Sequence, residues 1–125
     1  VPKLRNVDQM SIQKIGEELK STSQLCRELK IDKKEFFGGS MTISSLGGIG
    51  GTHFTPIINP PEVAILGVGK TFDRLVKEKN QIVSKKILPI SLSYDHRLID
   101  GAEGARFCVY LGKCLGKDFA FKLAV

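Results

Sequence analysis

At 125 residues the chain is long enough for one modest domain with a hydrophobic core. Its 42% hydrophobic and 26% charged residues are ordinary for a globular protein, and no apolar run approaches the ~20 residues of a membrane helix. The formal charge of +6 comes from dispersed lysines and arginines, with no basic helix carrying aromatics and no tryptophan. That dispersal argues against a nucleic-acid partner and for a solvated surface or a basic mouth that attracts a phosphorylated or acidic ligand.

Residues 8 to 30 are predicted to form an amphipathic helix, because Ile12, Ile15, Leu19, Thr22, Cys26 and Leu29 recur every three or four residues. Asp32 and Glu35 have capping-box spacing, so a short helical turn should follow. Gly38-Gly39 then breaks the chain, and Met41 to Ser45 reads as a strand. Gly47 to Gly51 forms a glycine-rich connection, and Pro56, Pro60 and Pro61 keep the next stretch irregular. Val63 to Val68 reads as a buried strand, residues 71 to 86 as an exposed hairpin or loop, and Ile87 to Tyr94 as a second strand with Pro89 near its start. A final helix is expected from Asp100, with Ala102, Ala105, Val109 and Gly112 as a small-residue face and Phe107, Cys108, Leu111 and Leu115 extending the apolar surface. No repeat, low-complexity tract or second domain is visible. The sequence begins at Val1 with neither a signal nor a transit pattern, and so reads as a processed or truncated piece.

The three cysteines, Cys26, Cys108 and Cys114, are odd in number and irregular in spacing, which speaks against a disulfide framework and against zinc. Cys26 and Cys108 fall on apolar helical faces and are expected to be buried thiols in a reducing compartment.

The sharpest feature is Asp95-His96-Arg97-Leu98-Ile99-Asp100-Gly101, at the end of a strand and the start of a helix. Histidine is suited to accept a proton near neutral pH. A thiol with a pKa near ~8.5 is mostly protonated there, so a neighbouring imidazole would activate it. Plainer readings stand beside this one. Asp100 with Glu103 is itself a capping box, Arg97 can simply pair with a carboxylate, and Ser44 can be an ordinary strand hydroxyl.

His-x-x-x-Asp-Gly at such a junction resembles the signature of chloramphenicol acetyltransferase-like enzymes, a group that includes dihydrolipoyl acyltransferases. The fuller run Ser91 to Ala102 is similar to the acyltransferase cores of 2-oxo acid dehydrogenase complexes. Two further blocks, Met41 to Gly48 and Pro56 to Gly67, resemble that family's Phe-Thr-Ile-Ser-Asn/Ser and Pro-Ile-Ile-Asn-Pro-Pro blocks in the right order. The resemblance runs from Val1 to about Leu115 and covers the second half of the family's catalytic domain. Residues 116 to 125 depart from its usual Asn-Pro and leucine-rich ending.

The resemblance implies an α/β fold of two layers, with helices packed on a mixed sheet, chloramphenicol acetyltransferase-like. It implies His96 as the base that deprotonates coenzyme A, and Ser44 as a hydrogen-bond donor to the oxyanion. Asp100 would hold the His96 orientation through ion pairing. It implies acetyl transfer from a lipoyl group carried on a separate domain, in the pyruvate dehydrogenase complex. Succinyl transfer in the 2-oxoglutarate complex, to which Tyr94 to Asp100 leans, and a non-catalytic core subunit are the alternatives. Homotrimers would assemble into a cubic core, with His96 and Ser44 of one chain serving different sites. The 2-oxo acid decarboxylase and dihydrolipoyl dehydrogenase components would be partners, and neither nucleic acid nor membrane. The location implied is a bacterial cytoplasm, or alternatively the mitochondrial matrix.

Ala64 to Thr71 fits a relaxed phosphate-loop pattern, but Ala64, Ile65 and Leu66 are strand-like and no strong helix follows. Gly47 to Gly51 is not a dinucleotide fingerprint, since prolines rather than a helix follow it. His53 has no partner in sequence and is read as a surface or structural residue.

Overall fold

The structure is a computed structural model that describes residues 1–116 and Phe119. The departure from the family's usual ending therefore lies, Gly116 and Phe119 apart, outside the described residues. Contacts divide the chain into two compact units, Val1–Ser40 and Met41–Val125. The division falls just after Gly38-Gly39.

The first unit is built on α1 (Ile12–Arg27), preceded by a 3-10 turn at Val7–Gln9 and followed by another at Lys33–Phe36. The Ser11 side chain accepts a hydrogen bond from the Lys14 amide at 3.2 Å and so caps the helix start. The helix expected over residues 8 to 30 is thus shorter at both ends. At its C-terminus the Lys30 amide donates to the Leu25 carbonyl at 2.9 Å and the Leu29 amide to Cys26 at 3.1 Å. Leu29 has φ 55°, which completes a Schellman end. Leu29 leaves the expected apolar stripe and is 90% exposed. Asp32 caps the next turn through the Lys34 amide, and the Lys3 amide donates to the Glu35 carbonyl.

The second unit holds a three-stranded mixed sheet. Strand β1 (Thr42–Ser45) runs parallel to β2 (Ala64–Val68), on the other edge of which lies antiparallel β5 (Ile90–Tyr94). The intervening β3 (Phe72–Glu78) and β4 (Gln81–Ile87) form a separate hairpin, as the charged sequence allowed. Asp73 faces Lys86 across it and pairs with it at 3.3 Å. The strand expected over Ile87 to Tyr94 is therefore two elements. Pro89 has no N–H with which to continue a ladder, and its carbonyl instead accepts from the Gly69 amide at 3.0 Å.

Strand alternation sorts the sheet into two faces. Ile43, Ala64, Leu66, Leu92 and Tyr94 fall on one; Thr42, Ser44, Ile65, Gly67, Ser91 and Ser93 fall on the other. Helix α2 (Gly101–Cys114) packs on β5. Its small-residue stripe is exposed at Ala102, Ala105, Val109 and Gly112, as are Phe107 and Leu115 of the expected apolar surface. The inward positions are Gly104, which is buried, and the half-buried Cys108 and Leu111, spaced four and three apart. Cys26, Cys108 and Cys114 are free and only half-buried, so the thiols expected inside are not fully enclosed. The core centres on Ala64, Ile65 and Leu66 of β2, the strand paired on both sides. Among the described residues no helix is long and apolar enough to cross a membrane.

Candidate active site

The turn between β5 and α2 carries the histidine motif. The Asp95 amide continues the sheet by donating to the Val63 carbonyl at 2.8 Å. The Asp95 carboxylate then accepts from the Arg97 amide at 3.0 Å and from its guanidinium at 2.9 Å and 2.6 Å. Those hydrogen bonds from Arg97 hold the Asp95 carboxyl well below the usual carboxylate range, at about 2. The amides of Leu98 and Ile99 both donate to the Asp95 carbonyl at 3.0 Å. One aspartate thus pins both ends of the turn, and His96 lies exposed on it. Its ring meets that of Tyr94, with centroids 5.8 Å apart.

Asp100 is the N-cap of α2, accepting from the Glu103 amide at 2.7 Å. The ion pair that the resemblance implies for Asp100 is absent among the described residues; Arg97 gives its guanidinium to Asp95 instead. Geometry favours that choice, because Arg97 Nη2 reaches a carboxylate two residues back without leaving the turn.

Ser44 lies on β1, half-buried, opposite Gly67 of β2. Phe54 covers that glycine: a Cβ on Gly67 would lie 3.0 Å from Phe54 Cζ. Within one chain Ser44 and His96 are not brought together. Tyr94 pairs with Ala64, three residues from Gly67 on β2 or roughly 10 Å along the strand, and lies on the opposite face. His96 is farther still, beyond the strand end.

The other candidates carry less. The relaxed phosphate-loop segment is β2 followed by β3, with no helix to seat a phosphate. Gly47 to Gly51 is a hydrogen-bonded turn rather than a slack connection: Ile49 and Gly50 donate to the Leu46 carbonyl at 2.9 Å, and Lys70 donates to that of Gly51. His53 is exposed. An open groove in the first unit is lined by Lys3, Arg5, Lys30 and Lys34 and by Glu18, Asp32 and Glu35, so it is mixed in charge. Among the described residues no group of three or more His, Cys, Asp and Glu side chains could hold a metal ion. Sequence reasoning missed Tyr94 and Gly104; the signal available was their phase, with Tyr94 alternating with Leu92 and Gly104 spaced four from Cys108.

Residues 1–120 match the catalytic domain of the 2-oxoacid dehydrogenase acyltransferases. This chain belongs to that family. It is 51% identical over 115 residues to a dihydrolipoyllysine-residue acetyltransferase component of the pyruvate dehydrogenase complex from Haemophilus influenzae, covering 92% of this chain and 20% of that protein. It is 47% identical over 119 residues to the component of the same description from Cupriavidus necator, covering 95% and 21%. Among solved structures it superposes on dihydrolipoamide acetyltransferase from Azotobacter vinelandii with TM-score 0.91 and 46% identity, over 100% of this chain and 51% of that one. That structure accompanies an investigation of a serine, a histidine and an asparagine in the catalytic mechanism of that enzyme. The cubic core of the pyruvate dehydrogenase multienzyme complex matches equally, at TM-score 0.91 and 45% identity, again over 51% of its chain. The chloramphenicol acetyltransferase-like fold expected from the motif is the one observed. This chain spans about half the length of these solved chains and about a fifth of the two bacterial components.

Proposed function

We propose that this chain supplies the second half of an acyltransferase catalytic domain that moves an acetyl group between S-acetyl-dihydrolipoamide and coenzyme A in a pyruvate dehydrogenase complex. The carrying observation is an exposed imidazole, braced by its turn and free of hydrogen bonds among the described residues, at the start of a helix. Such a ring can take and return a proton. Support comes also from spacing. In the Azotobacter vinelandii enzyme the investigated serine precedes the histidine by 52 positions and the asparagine follows it by four; Ser44, His96 and Asp100 stand at the same intervals. Aspartate and asparagine are both good helix caps, so that difference preserves the local geometry.

In this reading His96 removes the proton from the coenzyme A thiol as its sulfur bonds to the thioester carbonyl carbon. Ser44 donates a hydrogen bond to the carbonyl oxygen as charge gathers there. His96 then returns the proton to the dihydrolipoamide sulfur as the old carbon–sulfur bond breaks. Because one chain separates Ser44 from His96, the reading places each site between neighbouring copies, in trimers that build a larger core. The decarboxylase and dihydrolipoyl dehydrogenase components, a separate lipoyl domain, and a bacterial cytoplasm complete the proposed setting.

The test is an acyl-donor panel on the full-length protein with coenzyme A as acceptor. Acetyl transfer should exceed succinyl transfer, and His96→Ala should lower kcat by ~100-fold or more. Faster succinyl transfer moves the chain to the 2-oxoglutarate complex. Full activity in His96→Ala leaves a non-catalytic core role or other chemistry.

A further inference from the structure

We infer that Tyr94 is a positioning residue for His96, an inference that rests on the reading of His96 as the proton carrier. An exposed imidazole with no hydrogen bond would turn freely among its staggered rotamers. Here its described ring contact is with Tyr94, centroids 5.8 Å apart and planes tilted by 36°. That separation lies in the range where aromatic rings attract each other.

Tyr94 is a firm support because it is itself held twice. Its backbone pairs with Ala64 of the buried central strand. Its ring rests on α2 at Gly104, where a Cβ would lie only 2.8 Å from Tyr94 Cε1 and 3.1 Å from Cζ. The glycine is therefore a seat for the ring, since any side chain there would displace it. At the first residue of the same helix, a Cβ on Gly101 would lie 3.8 Å from Tyr94 Oη and 3.9 Å from His96 Nε2. The phenol oxygen and the imidazole nitrogen thus converge over one point of the α2 backbone, where no side chain intervenes. Helix, phenol and imidazole form one chain of contacts, and the helix position is passed to the histidine through the tyrosine ring. The contact described between the two side chains is one of rings, so phenylalanine, which keeps the ring, should substitute for tyrosine.

The test compares Tyr94→Phe, Tyr94→Leu and His96→Ala in the full-length protein, measuring kcat and KM for acetyl transfer with melting temperature and oligomer mass as folding controls. The expected result is near wild-type kcat for Tyr94→Phe and about a tenfold lower kcat with unchanged KM for Tyr94→Leu. Tyr94→Met, unbranched and able to fill irregular space, stands in if the leucine variant does not fold. Wild-type kcat in a folded Tyr94→Leu or Tyr94→Met variant, with His96→Ala inactive, overturns the positioning role alone. Equal losses in Tyr94→Phe and Tyr94→Leu overturn it too, by moving the effect to the hydroxyl. A fully active His96→Ala instead removes the underlying reading of His96.

Discussion

Asp95 and Asp100 flank the same turn yet do different work. Asp95 is held ionised by Arg97, with its carboxyl pKa lowered to about 2. A depressed folded pKa stabilises the native turn above the ordinary carboxylate range, and that contribution disappears as pH falls from roughly 4 through about 2. An NMR titration of the Asp95 carboxyl carbon should therefore find its midpoint near 2, and Arg97→Ala should return it toward 4. Asp100 acts as a cap, with no ion pair among the described residues. Replacement by alanine should cost about 1 kcal/mol of stability in a denaturant melt, whereas Asp100→Asn should cost little, since either side chain can accept from the Glu103 amide. A large loss in Asp100→Asn would show that the charge, rather than the hydrogen bond, is what matters. The family resemblance named His96, Asp100 and Ser44 as candidates, but sequence could not assign Arg97 to Asp95, because both aspartates lie within reach of one flexible guanidinium.

At the level of elements, the end of α1 is the clearest strain. Leu29 occupies the left-handed position that glycine fills at most Schellman ends, with φ 55° and 90% of its surface exposed. No burial compensates the contact between its Cβ and the backbone. Leu29→Gly should therefore raise the stability of the first unit by about 1 kcal/mol, read as slower amide exchange through α1. Unchanged or faster exchange would mean that Leu29 makes contacts in the assembled protein. Periodicity placed Leu29 on the apolar stripe because a repeat of three and four residues contains no information about where the helix stops. The stop is set by two backbone hydrogen bonds from Leu29 and Lys30. In α2 the sequence pattern placed Cys108 and Leu111 on the apolar surface, and both are half-buried, but it contained no sign that Gly104 would seat the Tyr94 ring.

For the whole molecule, the separation of Ser44 from His96 has a direct consequence. If each site draws the two residues from different chains, Ser44→Ala and His96→Ala preparations should each be nearly inactive, while oligomers formed from an equal mixture should recover activity. Random assembly gives about a quarter of wild-type kcat per chain, because one site in four then receives both native residues. Mixed oligomers that stay inactive would place both residues in one chain's site, whereas full activity in Ser44→Ala alone would remove Ser44 from the chemistry. What the amino-acid order determined alone is local: the strands at β1 and β2, an exposed charged hairpin or loop between strands, the capping spacing of Asp100 and the family blocks. These follow from period, turn chemistry and side-chain type, which act over a few residues. The tertiary structure decided which helix face packs, where Pro89 divides a strand, which aspartate takes Arg97, and that Ser44 and His96 lie apart. Those depend on the register of strands distant in sequence and on a single close approach of Tyr94 to Gly104, neither of which any local pattern encodes.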